Sequence, residues 1–212
     1  MRILSIPNEN GKMTCFWEEG ASSGKKPLII CLADKEEDAK RGLNLLFSQA
    51  NGASVAALVV YPQTEEQIVG DWLYSLRQRE DVDENRITLT GTLSAADWVW
   101  RLGSHFPQWF AGLCAVGGYG DPYEVRAMKN VPVRAYLVEE EPQITRNGKV
   151  AVNADQLVMS LLIAGSENVE MRSMYEKDPW NKAIQEDGIV SWLLEQNRKH
   201  QFQVIWLKPG VW

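Results

Sequence analysis

Histidine is almost missing from this chain: among its 212 residues there are two, His105 and His200. Two imidazoles so far apart give no zinc-ligand spacing, and no metal site is expected. Cysteine is scarce too. Cys15, Cys31 and Cys114 form no Cys-x-x-Cys pair, and two of them lie in apolar runs. They read as small buried hydrophobes in a reducing compartment. No apolar run approaches the length of a membrane span. The opening "MRILSIPNENGK" holds too short an apolar run for a signal peptide, so the cytoplasm is the expected location. No stretch is a basic patch with interleaved aromatics. A formal net charge of −6 argues against nucleic acid or an anionic membrane surface as the main partner. Neither Gly-x-Gly-x-x-Gly nor a Walker phosphate loop is present, and no cofactor is expected. Paired carboxylates occur in "EEDAK", "EDVDE" and "VEEEP", but such charge runs read as solvated faces.

What remains is an ordinary globular composition, 45% hydrophobic and 24% charged, long enough for one domain over residues 1–212 with a substantial core. Tryptophan is unusually frequent, with nine residues. Most should pack in the core, and some could line a cleft.

The chain opens as a strand pair, "MRILSI" and "MTCFWEE", around "PNENGK". From "PLIICLA" onward the pattern changes. Short apolar runs ("SVAALVVY", "RITLTG", "FAGLCAVGG", "VPVRAYLV") suit strands buried on both faces of a parallel sheet. Amphipathic stretches between and after them predict helices over 64–79, 94–105, 152–164 and 183–199. "NVEMRSMYE" alternates like a strand nearer the sheet edge. The fold expected is α/β, with a mostly parallel central sheet, helices on both faces and an antiparallel N-terminal strand pair. Ligands bind such sheets at the carboxyl ends of the strands, so the loops there are the ones that matter. They are "ADKEED", "YPQTEE", "GTLSAA", "GGYGDPYE", "EEEPQIT" and "EKDPWNK".

Three segments, in order, carry a resemblance: "DENRITLTGTLSAADWVWRLGSHFPQWFAGLCAVGG", "GYGDPYEVRAMKNVPVRAYLVEEEP" and "DPWNKA…SWLLEQNR". From about residue 27 to 198 the chain resembles the small serine esterases of the α/β-hydrolase superfamily, in the carboxylesterase, feruloyl-esterase and polyhydroxybutyrate-depolymerase-like group. The resemblance implies an α/β-hydrolase fold and, at matching positions, four catalytic parts: a serine on a strained turn, a histidine, a carboxylate and oxyanion-binding amides.

Residue by residue, the chain departs from that pattern. Gly91-Thr92-Leu93-Ser94-Ala95 lies on Gly-x-Ser-x-Gly, which places Leu93 where the nucleophile belongs. Ser94 becomes the nucleophile only if the turn slides by one residue, making Thr92 and Ala96 its flanking small positions. Otherwise Ser94 starts the helix that follows. The segment expected to carry the base reads "YEKDPWN", with Lys177 and Asp178 and no histidine. His105 ends the helix that Ser94 begins, roughly 16 Å away at ~1.5 Å per residue, whereas proton transfer needs ~3 Å. His200 lies beyond the last helix. Glu141 falls at the acid position. Ala33-Asp34 replaces the family's usual His-Gly, and a carboxylate there opposes a developing oxyanion.

The resulting expectation is a catalytically degenerate esterase-like protein with a binding or interaction role, toward a small molecule or a protein. The alternative is a serine hydrolase acting on a carboxylic ester through Ser94 with a non-standard base. The expected cleft lies over Leu93 and Ser94, with Asp34, Trp98, Tyr119, Tyr123, Glu141 and Trp180 as walls. Trp98 stands where the family has a small residue, so it either fills or lines the pocket. A homodimer is a further alternative.

Overall fold

The run Lys26–Ala33 is apolar on both alternations because both of its faces are covered. Leu28, Ile30 and Leu32 enter one hydrophobic cluster, while Ile29, Cys31 and Ala33 enter the other. The same division recurs at Ala56 and Leu58 against Val55, Ala57 and Val59, and at Leu113 and Ala115 against Cys114 and Val116. Period-two alternation between two apolar layers is what a sheet sandwiched by helices requires. The computed structural model describes residues 1–8, 11–61, 63–138, 144–146, 149–174 and 178–200.

In chain order, the elements begin with β1 (Arg2–Asn8), β2 (Gly11–Glu18), β3 (Lys26–Ala33), α1 (Glu36–Phe47), β4 (Ser54–Val59), α2 (Glu66–Arg77) and β5 (Val82–Thr92). A short 3₁₀ turn, Leu93–Ala95, leads into α3 (Ala96–His105). Then come β6 (Gly112–Val116), β7 (Tyr119–Gly120), β8 (Val133–Val138), β9 (Ile144–Arg146), β10 (Lys149–Asn153), α4 (Ala154–Ile163), β11 (Val169–Met174), α5 (Pro179–Gln185) and α6 (Ile189–Glu195). Eight strands form the main sheet in the order β1-β2-β4-β3-β5-β6-β8-β11. β2 is antiparallel to both its neighbours, and every pairing from β4 to β11 is parallel. The expected α/β architecture, with its antiparallel N-terminal pair, is therefore the observed one. β7, β10 and β9 make a small separate sheet.

The structure corrects three details of the sequence reading. Helix α1 departs from the loop expected at "ADKEED": the acidic residues Glu36, Glu37 and Asp38 form the first turn of a helix. Negative charge is favoured there by the helix dipole, and Ala39, Leu43 and Leu46 bury the inner face. The single helix expected over 183–199 is two, α5 and α6, separated at Gly188, whose φ of +64° suits glycine. The helix expected from 152 begins at Ala154, after a strand. Asn153 caps it by accepting a hydrogen bond from the Gln156 N–H at 3.4 Å.

No helix among the described residues is long and apolar enough to cross a membrane.

Candidate functional site

β5 runs extended to Thr92 (φ −129°, ψ 146°), and the backbone then reverses sharply. Leu93 takes φ +51°, in the left-handed region, before the chain enters α3. A β-extended residue, a left-handed tip and an immediate helix define a strand–turn–helix elbow. The flanking residues must be small for steric reasons. A Cβ on Gly91 would lie 3.0 Å from Val99 Cγ2 and 3.1 Å from the Ala95 carbonyl oxygen. The tip of the turn is thus Leu93 and not Ser94, and the leucine side chain projects with 47% exposure. Left-handed backbone costs an L-residue roughly 1–2 kcal/mol, so the surrounding structure holds this conformation against its local preference.

Ser94 follows the tip. Its Oγ donates to Asp34 Oδ2 at 2.8 Å. Asp34 stands just past the end of β3, so this contact ties together the loops of two adjacent strands. The two loops and the start of α5 surround a cavity of about 340 Å³. Asp34, Leu93, Ser94, Asp178 and Trp180 line it, together with Arg41 of α1. Arg41 and Asp178 form an ion pair. Asp178 also caps α5, accepting from the Asn181 N–H at 3.1 Å. Burial draws the Asp178 carboxyl upward, but the Arg41 hydrogen bond, the Asn181 N–H and the Arg41 charge together hold it below the ordinary carboxylate range. At the floor, burial pushes the Cys31 thiol up to about 12, with the Asp38 charge adding to the effect, so it stays protonated and unreactive. Gly42 lets α1 approach this floor: a Cβ there would sit 2.9 Å from Cys31 Sγ and 3.4 Å from Trp180 Nε1.

Three residues expected as cleft walls lie elsewhere. Trp98 is 2% exposed and belongs to the core between the sheet and α3, with the Arg101 guanidinium 4.7 Å over its ring. It neither fills nor lines the cavity, because at the helix N-terminus its side chain is carried to the sheet-facing side. Tyr119 is buried in β7, its N–H donating to Asp97 Oδ1 at 2.7 Å. Tyr123 is solvent-exposed, with Arg126 stacked at 5.2 Å. Glu141 and Lys177 lie outside the described residues. The sequence reading does not include Arg41 and Asp38, for which the Ala39/Leu43/Leu46 spacing that marks α1 as amphipathic is the available signal; Cys31, expected as a buried hydrophobe, also floors the cavity.

His105 does not reach the elbow. His105 ends α3 at the pole away from the tip, where it pairs with Glu66 and, at 3.4 Å, with Glu124. The backbone of residue 200 belongs to a short turn over 198–200, held by Arg198 Nη2 donating to Asn85 Oδ1 at 3.2 Å. Asn85 is near the amino end of β5, roughly 23 Å from Thr92 at ~3.3 Å per residue. Among the described residues no group of three metal-ligating side chains converges.

The strand order, the elbow after β5 and the cavity over the carboxyl ends of the strands define an α/β-hydrolase fold. Solved structures agree. A thermostable esterase matches with a TM-score of 0.74 at 18% identity, over 93% of this chain and 63% of its own. An S-formylglutathione hydrolase from Staphylococcus aureus matches at 0.65 and 10% identity, over 91% of this chain and 95% of its own. A carboxyl esterase from the fungus Tuber melanosporum matches at 0.62 and 10%, covering 95% and 87%. The chain thus spans about 63% of the length of the thermostable esterase. At these identities the likeness is one of fold. No family model matches the chain, and no curated protein matches it.

Proposed function

We propose that this chain is an esterase-like α/β-hydrolase-fold protein that binds through its elbow cavity and does not carry out Ser-His-acid hydrolysis. The observation that supports this most is Leu93 at the left-handed tip, where the fold presents a nucleophile. A leucine has no atom able to attack a carbonyl. The resemblance puts Asp34 in the loop that would supply oxyanion-binding donors, and a carboxylate there opposes a developing oxyanion. The parts of a triad act as a unit, so losing nucleophile or base removes most of the catalysis. A cavity of about 340 Å³ is of small-molecule size. Its lining sets the carboxylates Asp34 and Asp38 and the cations Lys35 and Arg41 beside Leu93 and Trp180, which suits a ligand with hydrogen-bonding groups of both kinds and an apolar face. Three unpaired, buried cysteines accord with a reducing, cytoplasmic setting.

The second reading, an ester hydrolase acting through Ser94, draws on the 2.8 Å contact between Ser94 Oγ and Asp34. A fluorophosphonate probe read by intact mass separates the two. The binding reading expects the folded protein to stay unlabelled. Stoichiometric labelling that disappears in Ser94→Ala would overturn it and establish Ser94 as the nucleophile.

A further inference from the structure

β11 ends the main sheet, and its residues 170–173 are exposed. Natural edge strands are blunted by charged side chains, lysine above all, by proline, by bulges or by a covering element. β1, at the opposite edge, carries Pro7. β11 reads Val-Glu-Met-Arg-Ser-Met; it has neither proline nor lysine, its two charges are paired within the chain, Glu170 with Arg134 at 2.9 Å and Arg172 with Asp187 at 3.7 Å, and it keeps an uninterrupted parallel register with β8.

The Val133 N–H donates to the Asn168 carbonyl at 2.8 Å. In a parallel ladder, alternate residues turn both backbone groups to the same side. Residues 168, 170 and 172 therefore face β8, and Val169, Met171 and Ser173 turn their N–H and C=O groups to the free edge. We infer that this edge pairs, antiparallel, with the same edge of a second copy of the chain, about a two-fold axis through Met171.

Charge discriminates among the registers. With Met171 opposite itself, Val169 opposes Ser173, and these are the hydrogen-bonded pairs. Glu170 then opposes Arg172 of the second copy, in the pairs where side chains come closest. Sliding by two residues sets Glu170 against Glu170 or Arg172 against Arg172. Sliding by one turns outward backbone groups against inward ones. Among registers within two residues of it, this one alone satisfies both the ladder and the charges.

The apolar surface beside the edge fits the same arrangement. Val169 packs on the cluster that contains Val158 and Leu161 of α4, and Met171 shares its face of the sheet. On that side α4 exposes Met159, Leu162 and Ile163, the last at 71%. A two-fold axis perpendicular to the sheet keeps both α4 helices on one face, where these side chains cover one another. The two elbow cavities then open at opposite ends of the joined sheet, so pairing leaves both accessible.

Sedimentation equilibrium of the protein tests this, with twice the chain mass expected. Met171→Pro removes the N–H on the axis without taking a donor from the β8 ladder. Arg172→Glu sets like charges at both close pairs. Each is expected to weaken association about tenfold or more while circular dichroism shows an intact fold. Met171→Cys reports the register. The native cysteines are buried, and paired Cα atoms about 5.5 Å apart are within disulfide reach, so mild oxidation should give a covalent dimer. Ser173→Cys should not, because it faces Val169. A monomer at all concentrations, a dimer indifferent to both edge substitutions, or Ser173→Cys cross-linking as readily as Met171→Cys would overturn the inference.

Discussion

Replacing Leu93 by glycine and, separately, by alanine locates the elbow tip by stability alone. At an ordinary helix or strand position alanine is the more stable of the two by roughly 0.5–1 kcal/mol, because glycine loses more backbone freedom on folding. At φ +51° the balance changes. Alanine keeps the clash between Cβ and the backbone that costs an L-residue roughly 1–2 kcal/mol in the left-handed region, and glycine escapes it. Both variants lose the same half-exposed isobutyl packing, so that contribution cancels apart from one methyl. The difference leaves Leu93→Gly more stable than Leu93→Ala by about 0.5–1 kcal/mol. In a chain of this size that is about 2 °C in melting temperature. Paired urea titrations and calorimetric melts of the two variants measure it. If alanine equals or exceeds glycine, residue 93 is not at the left-handed tip, and the placement of Ser94 beside the tip rather than on it fails with it.

Three further outcomes follow from the site. Leu93→Ser puts a hydroxyl on the tip but supplies no imidazole; p-nitrophenyl acetate hydrolysis should stay at the parent level, and a large gain would mean that an unrecognised base faces the elbow. Arg41→Gln should destabilise the protein near neutral pH by less than about 1 kcal/mol, since both members of the pair are exposed. The folded Asp178 carboxyl titrates below its unfolded value of about 3.9, so the pair's stabilisation is complete above that pH and is lost as pH falls through the folded value. The gap between parent and variant urea midpoints should therefore close on acidification, and a gap that widens would contradict the assignment. Gly42→Ala brings a Cβ to 2.9 Å from Cys31 Sγ at the cavity floor; about 1–3 kcal/mol of destabilisation is expected in denaturant unfolding, and a neutral result would mean that α1 packs less closely on β3.

The sheet was legible because its strands are buried on both faces. Burial of that kind leaves near-continuous apolar runs, and β3, β4, β6 and β8 all fall on runs visible in the sequence. The elbow was legible for a related reason. A turn this tight admits only small residues on each side of its tip, and Gly91 and Ala95 are local marks of it. Helix α1 was obscured by its charged first turn, which looks like a loop when read without the helix dipole. The aromatic walls were misplaced because an aromatic residue carries the same letter whether it packs inward or faces a cleft. Trp98 went to the core and Trp180 to the cavity, although both stand at the start of helices.

By itself, then, the sequence determined the α/β layering, the antiparallel start, the position of the elbow and the scarcity of imidazole, since each depends on residue type and short-range periodicity. Only the tertiary structure decided that Leu93 rather than Ser94 occupies the tip, that Ser94 Oγ is directed to Asp34, and that Arg41 from a distant helix joins Asp178 at the rim. It alone showed which backbone groups of β11 face outward, and hence the register in which Glu170 and Arg172 can answer each other. Those facts depend on the direction of side chains and peptide groups in space. Long-range packing sets that direction, and residue spacing along the chain does not record it.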